Sequence, residues 1–363
     1  MNTFGKTIGL TIFGESHGLS IGAVLDGLPS GEAIDWDAVR TEMARRAPGK
    51  NPMSTARAEK DAFEVQSGFF NGYTTGTPLC AIIRNSDQHS RDYDQLRHLM
   101  RPGHADYSGK IRYGGFNDYR GGGHFSGRLT APLVFAGAVA SQILARHGIT
   151  VGSHILRLAG IADKPFTAIG ETAETLQALK KETLPVLDKA QAGPMEEKIL
   201  AAKNDLDSVG GVIECMVTGL PAGIGDPFFD SVESQLSHMM FSVPAVKGIE
   251  FGDGFSLAEL RGSQANDAFY YDGDVVKTRT NHNGGINGGI TNGMPVVFRL
   301  AIKPTASISQ KQETIDTDTK ENCDLVIKGR HDPCIVQRAI PVVEAAAAWA
   351  ILDVCLSEKG RCW

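Results

Sequence analysis

The chain has 363 residues, 42% of them hydrophobic and 21% charged, with a formal net charge of −6 and 42 glycines. That balance belongs to a soluble globular protein, and the mild acidity argues against a general nucleic-acid binder. The six cysteines (Cys80, Cys215, Cys323, Cys334, Cys355 and Cys362) form no C-x-x-C pair and read as reduced thiols, no secretory signal opens the chain, and no apolar run reaches the ~18 residues of a membrane span, so the expected location is cytoplasmic.

Thr7 to Phe13 reads as a buried strand that stops at Gly14, and Ile21 to Leu25 as a second strand ending in the turn GLPSG. The segment GESHG, residues 14–18, joins them. Asp35 is the expected N-cap of a helix whose apolar face carries Trp36, Val39 and Met43, and Pro48-Gly49 ends it. Arg45 and Arg46 fall in its last turn, where cations suit the macrodipole. Between Arg40 and Lys60 six basic residues face two acidic ones, as in a solvated face or a pocket for a small polyanion.

Residues 50–78 are polar and turn-rich, Leu79 to Ile83 reads as a strand, and residues 84–128 form a long irregular stretch with five aromatics at its end. Arg128 opens a long apolar helix to His147, predicted to be buried. Further elements are a strand from Val151 to Ile161, amphipathic helices in 165–208, a strand from Gly211 to Thr218, and a capping box at Asp230 and Glu233. Residues 252–293 are loop-rich, Pro295 to Ile302 is a strand, and Ile335 to Leu356 is an alanine-rich apolar helix. Strands and helices do not alternate regularly, which points to an α+β fold in one domain spanning residues 1–363.

Neither G-x-G-x-x-G nor a P-loop is present. Ser16 and His17 are neighbours, and in an extended segment they would point to opposite faces, which disfavours a Ser–His dyad. His104 stands in RPGHADY beside Arg101 and Asp106, as a proton-transfer group or as part of a structural salt link. His124 follows three glycines in YRGGGHFSGR, where backbone donors with Arg120 and Arg128 suit an anion at a helix start. Asp332, in GRHDPC before the last helix, is either functional or simply an N-cap. No short two-ligand spacing marks a metal site, and none is expected.

These segments together resemble the chorismate synthase family. GESHG, RPGHADY, DYRGGGHFSGR, AVKGIEFGDGF, NHNGGINGGI, KPTASI and GRHDPC all match in order, from about Phe4 to the final helix. The resemblance implies a β-α-β sandwich with helices between antiparallel sheets, assembled as a homotetramer. It implies an anti 1,4-elimination of phosphate from 5-enolpyruvylshikimate 3-phosphate, giving chorismate for aromatic amino-acid synthesis through the shikimate pathway. Reduced FMN is required without net redox change. His17 corresponds to the histidine that protonates the leaving phosphate, and His104 to the one that protonates reduced flavin. Ser16 and Asp332 match a proton relay beside the flavin. Flavin contacts carry over to His124, Phe125, Ser126, Pro244, Ala245, Gly288, Lys303, Pro304, Thr305, Ala306, Ser307 and Arg330. Arg46 matches an arginine of the anionic pocket that contacts NADP in some members, and Arg128 a substrate-phosphate partner. NADPH is a possible source of reducing equivalents, and a chain this short resembles the type that relies on a separate flavin reductase. Two departures stand out: Pro52 replaces a frequent arginine, with Arg57 nearby, and His124-Phe125 replaces Arg-Ser of the common R-S-S-A-R motif.

Overall fold

Two long apolar helices, both almost wholly buried, pack on each other inside the core. A computed structural model describes residues 1–49, 53–54, 61–86, 96–327 and 331–358 of the chain. The helices are α1 (Trp36–Arg46), α2 (Asp106–Arg112), α3 (Thr130–Arg146), α4 (Ala173–Leu179), α5 (Ala192–Asn204), α6 (Val232–Met240), the short α7 (Gly262–Ala265) and α8 (Val336–Ser357). The first five-stranded sheet runs, in spatial order, Thr3–Phe4, Gly9–Gly14, Ser20–Asp26, Leu79–Arg84, Phe63–Ser67. The second runs Val246–Phe251, Val296–Ile302, Gly211–Thr218, Thr150–Leu158, Ile161–Ala162, and every pairing in both is antiparallel.

Helix α3 packs on the first sheet, α8 on the second, and the two helices pack on each other. This is the expected sandwich, with helices between antiparallel sheets. Close approach depends on small residues: a Cβ on Gly137 of α3 would sit 2.2 Å from the Ala345 Cα of α8. Both apolar helices are long and apolar enough to cross a membrane, unlike the runs read from sequence, yet 83% and 100% of their apolar windows are buried inside the fold. Two carboxylates of α8 tie the layers together. Glu344 accepts from Ser153 N and Oγ in the second sheet and from Arg45 of α1 (3.1, 3.0 and 2.6 Å). Asp353 accepts from the backbone of Lys6, Thr7 and Ile8 beside the first sheet. Buried carboxylates of this kind persist only when they are ion-paired, as Glu344 is, or saturated with hydrogen bonds, as Asp353 is.

Several sequence expectations are corrected. Asp35 caps α1 by accepting from Asp37 N and Ala38 N, as read. The cap of α6, however, is Ser231, which accepts from Ser234 N; Asp230 closes a preceding 3₁₀ turn instead. Asp332 does not cap α8, whose N-cap is Ile335. Arg128 sits in a 3₁₀ turn, Gly127–Leu129, that leads into α3. The hairpin of Lys311–Asp316 with Glu321–Val326 was not read from the sequence: its alternation is masked by charges on both faces.

Candidate active site

The starts of α3 and α8 and the end of α1 converge on one cavity of about 590 Å³, within the ~300–1,000 Å³ usual for small-molecule sites. Its wall brings together most of the residues singled out from the sequence: Arg46, His104, His124, Phe125, Ser126, Arg128, Pro244, Ala245, Lys303, Pro304, Thr305, Ala306, Ser307 and Asp332. Gly288 is not brought there. It tips an exposed hairpin that is tied elsewhere, through Thr291 to Pro221 and Ile224 and through the Gly289 carbonyl to Val232 N. Arg330, Pro52 and Arg57 lie outside the described residues.

The charge of the wall is one-sided. Arg46, Arg101, Arg128, Arg338 and Lys303 line it against one carboxylate, Asp332, in a chain that is acidic overall. Behind the wall, Asp61 offsets part of this. Its side chain is 0% exposed and receives Arg46 Nε and Nη2 at 3.0 and 2.5 Å and Arg128 Nη1. Burial pushes the Asp61 carboxyl up, but Arg46 and Arg128 outweigh it and hold it below the usual range. Burial also pushes the Arg46 guanidinium down to about 10, Asp61 pulling it back up while Arg338 and Arg128 add repulsion; it stays charged at neutral pH. Asp332 pairs with Arg338 Nη1 at 2.5 Å, and Arg338 Nε donates to the Arg46 carbonyl. Burial, aided by Arg101, holds the neighbouring His331 below its ordinary value.

His104 is fixed from behind. Its Nδ1 lies 2.6 Å from Asp106 Oδ1, and Arg101 clamps the same carboxylate through Nε and Nη2 at 2.7 Å each. Against the cost of burial, these bonds hold the Asp106 carboxyl well below its usual value. The carboxylate is therefore the acceptor for both, and His104 carries its proton on Nδ1. His124 donates from Nδ1 to the Gly14 carbonyl at 2.8 Å.

Ser16 and His17 are buried beside the cavity, at 1% and 3% exposure, against Gly121 of its wall. GESHG is not extended: residues 16 and 17 form a turn, and Ser16 Oγ lies 3.1 Å from His17 Nδ1. The two side chains do meet, contrary to the alternation argument. Ser16 Oγ also lies 3.1 Å from each of the Arg120 and Gly121 carbonyls, so its hydrogen is directed to the backbone rather than to the imidazole.

The glycine triplet serves chiefly as a spacer. Gly121, Gly122 and Gly123 have φ of +60°, +87° and +53°, where glycine pays no steric cost. A Cβ at Gly121 would stand 2.1 Å from the His17 ring, and one at Gly122 3.2 Å from the His104 ring. The triplet lets two imidazoles approach one backbone segment from different strands of the chain. The expected anion cradle is weakened, because Gly122 N–H is committed to the Tyr119 carbonyl and Arg120 pairs with Asp118. Phe125, one of the departures from the common motif, leans over Gly109 of α2, where a Cβ would fall 2.6 Å from its ring.

Asp61, Asn85 and Arg338 were missed. Nothing local in sequence marks Asp61; Arg338 could have been found from its place in the first turn of the helix that follows Asp332. Among the described residues no group of three His, Cys, Asp or Glu side chains is arranged to hold a metal ion.

A profile of chorismate synthases matches residues 8–356. The chain belongs to the chorismate synthase family. It is 45% identical over 355 residues to a chorismate synthase of Dehalococcoides mccartyi, covering 98% of this chain and 96% of that one. It is 43% identical over 352 residues to a chorismate synthase of Methanosarcina mazei, covering 97% and 95%. A solved structure described as the crystal structure of chorismate synthase superposes with a TM-score of 0.74 at 27% identity, covering 98% of this chain and 94% of that one. The family's fold thus extends over 98% of the chain.

Proposed function

We propose that the cavity catalyses the loss of phosphate from 5-enolpyruvylshikimate 3-phosphate to give chorismate, as a carbon–oxygen lyase of the shikimate pathway. The observation that carries this reading is the cluster of Arg46, Arg101, Arg128, Arg338 and Lys303 around one cavity that His104 also lines, with His17 held against Gly121 of its wall. The substrate carries a phosphate and two carboxylates, and oriented guanidiniums in a partly dry site offset such charge strongly.

The wall also suits FMN. Phe125, Pro244, Ala245, Pro304 and Ala306 offer an apolar face, and Lys303, Ser126, Thr305 and Ser307 offer polar groups. Thr305 Oγ1 is buried with no hydrogen-bond partner among the described residues, a capacity that a ligand would use. Reduced FMN, when bound, supplies an electron-rich ring that eases departure of the ring hydrogen and phosphate without net oxidation.

The chain's own residues supply the rest. Arg46 and Arg128, braced by Asp61, bind anionic groups of the substrate. His17, with Nδ1 turned to Ser16, delivers a proton to the leaving phosphate as charge builds on its oxygen. His104 holds a proton on Nδ1 against Asp106 and presents the rest of its ring to the cavity beside Gly122. Asp332 and Ser16 complete a path for protons. We read the chain as one domain acting in the cytoplasm, as a homotetramer supplied with reduced flavin by a separate reductase, with NADPH as the ultimate reductant.

The test is anaerobic turnover. With reduced FMN, chorismate and phosphate should appear in equal amounts, and His17→Ala should keep FMN affinity while losing most turnover. Phosphate release without chorismate, or activity abolished by a chelator, would contradict the reading.

A further inference from the structure

Asn85 follows the strand Leu79–Arg84 at the edge of the site. Its side-chain amide reaches two parts of the site that lie far apart in sequence. Nδ2 donates to the carbonyls of Glu15 and Gly18 at 3.0 and 2.8 Å, the two ends of the turn that carries Ser16 and His17. Oδ1 accepts from Arg128 Nε at 3.1 Å. The amide orientation is fixed by chemistry: a guanidinium only donates and carbonyls only accept. The Asn85 backbone N–H adds a bond to the Leu19 carbonyl at 3.2 Å.

On the opposite side the turn is held by Ser16 N donating to the Gly123 carbonyl at 3.2 Å and by His124 donating to Gly14. Arg128 is held on its far side by Asp61. The carboxamide is thus a short hydrogen-bonded bridge between an anion-binding guanidinium and the backbone that aims His17.

We infer that Asn85 is a positioning residue that couples the occupancy of the anion site at Arg128 to the placement of His17. This rests on reading the cavity as the substrate site. A phosphate drawn to Arg128 shifts the guanidinium; Nε drags the amide oxygen, and the amide nitrogen carries the displacement to the Glu15 and Gly18 carbonyls. The imidazole would therefore be brought to its working position when an anion arrives. A misplacement of about 1 Å at such a group is worth roughly 10²-fold in rate.

The experiment uses the full chain and inorganic phosphate, followed by NMR of the His17 imidazole and, in parallel, by calorimetry. In wild type, phosphate should shift the His17 resonances. In Asn85→Ala, phosphate should still bind, within about tenfold of the wild-type affinity, while most of the His17 shift disappears. A purely electrostatic effect of the bound anion would survive the substitution, so an unchanged His17 response overturns the inference, as does a wild type in which phosphate binds and His17 does not respond. If Asn85→Ala does not fold, Asn85→Asp serves: it keeps an acceptor for Arg128, removes both donors to the turn, and should lose the response too; a retained response overturns the inference. Turnover of the Asn85 variant should fall about 10²-fold. A wild type that makes no chorismate would sink the assigned reaction and leave the phosphate–His17 coupling standing or falling on its own result.

Discussion

Replacing Gly121 with alanine places a methyl group 2.1 Å from His17 Cε1 and 2.8 Å from Ser16 Oγ. Ordinary contact begins near 3.4 Å, so the imidazole must retreat by about 1.3 Å, a displacement of the size that costs an oriented catalytic group about 10² in rate. The backbone there has φ of +60°, which for alanine adds about 1–2 kcal/mol of strain. Gly31→Ala is the control: its φ is +85° and a Cβ there would meet nothing within 4 Å, so it shares the strain without touching the site. Under anaerobic steady-state conditions with reduced FMN, Gly121→Ala should lose about 100-fold in kcat while Gly31→Ala stays near wild type, both variants melting in a single transition. If Gly121→Ala retained kcat within threefold of wild type, the placement of His17 against this backbone would have no bearing on turnover and the reasoning would fail.

Asp61→Asn leaves Arg46 and Arg128 buried without their shared carboxylate; breaking a buried ion pair costs about 3–5 kcal/mol, which urea unfolding would read, and a loss under 1 kcal/mol would show that the pair is dispensable. His154 is buried between Asp163 and Glu214 at 3.0 and 2.9 Å, and although burial pushes its pKa down, the hydrogen bonds to the two carboxylates win and raise it. A raised folded value means that its contribution is full below the unfolded value of about 6.5 and is lost as pH climbs through the folded value; the stability gap between wild type and His154→Gln should narrow as denaturation is repeated from pH 6 upward, and a gap that widens would reverse the assignment.

The sequence made the long elements legible because each carries one dominant signal. Helix α8 is mostly apolar and buried nearly all round, and Gly211–Thr218 was bounded to the residue by its alternation. The site was legible as motifs but not as geometry. That Ser16 and His17 meet depends on a turn, and that turn is held by carbonyl contacts to Asn85 and Gly123, which lie 60 or more residues away and leave no local trace. The glycine triplet shows the same limit: composition suggests close backbone approach, but only the packed structure identifies two histidine rings as what approaches. Asp230 misled because an acidic residue three positions before Glu233 mimics a capping box, whereas Ser231 is the residue whose hydroxyl accepts from Ser234 N at the start of the helix.

The central claim is that one cavity receives the flavin and the phosphorylated substrate together, with cationic side chains and His17 serving the departing phosphate. A crystal structure with oxidised FMN and 5-enolpyruvylshikimate 3-phosphate tests it most directly. Both molecules should occupy the cavity lined by Arg46, Arg128, Lys303 and Asp332, with the phosphate in reach of His17. Ligands bound elsewhere, or a substrate phosphate turned away from His17 toward solvent, would contradict the account.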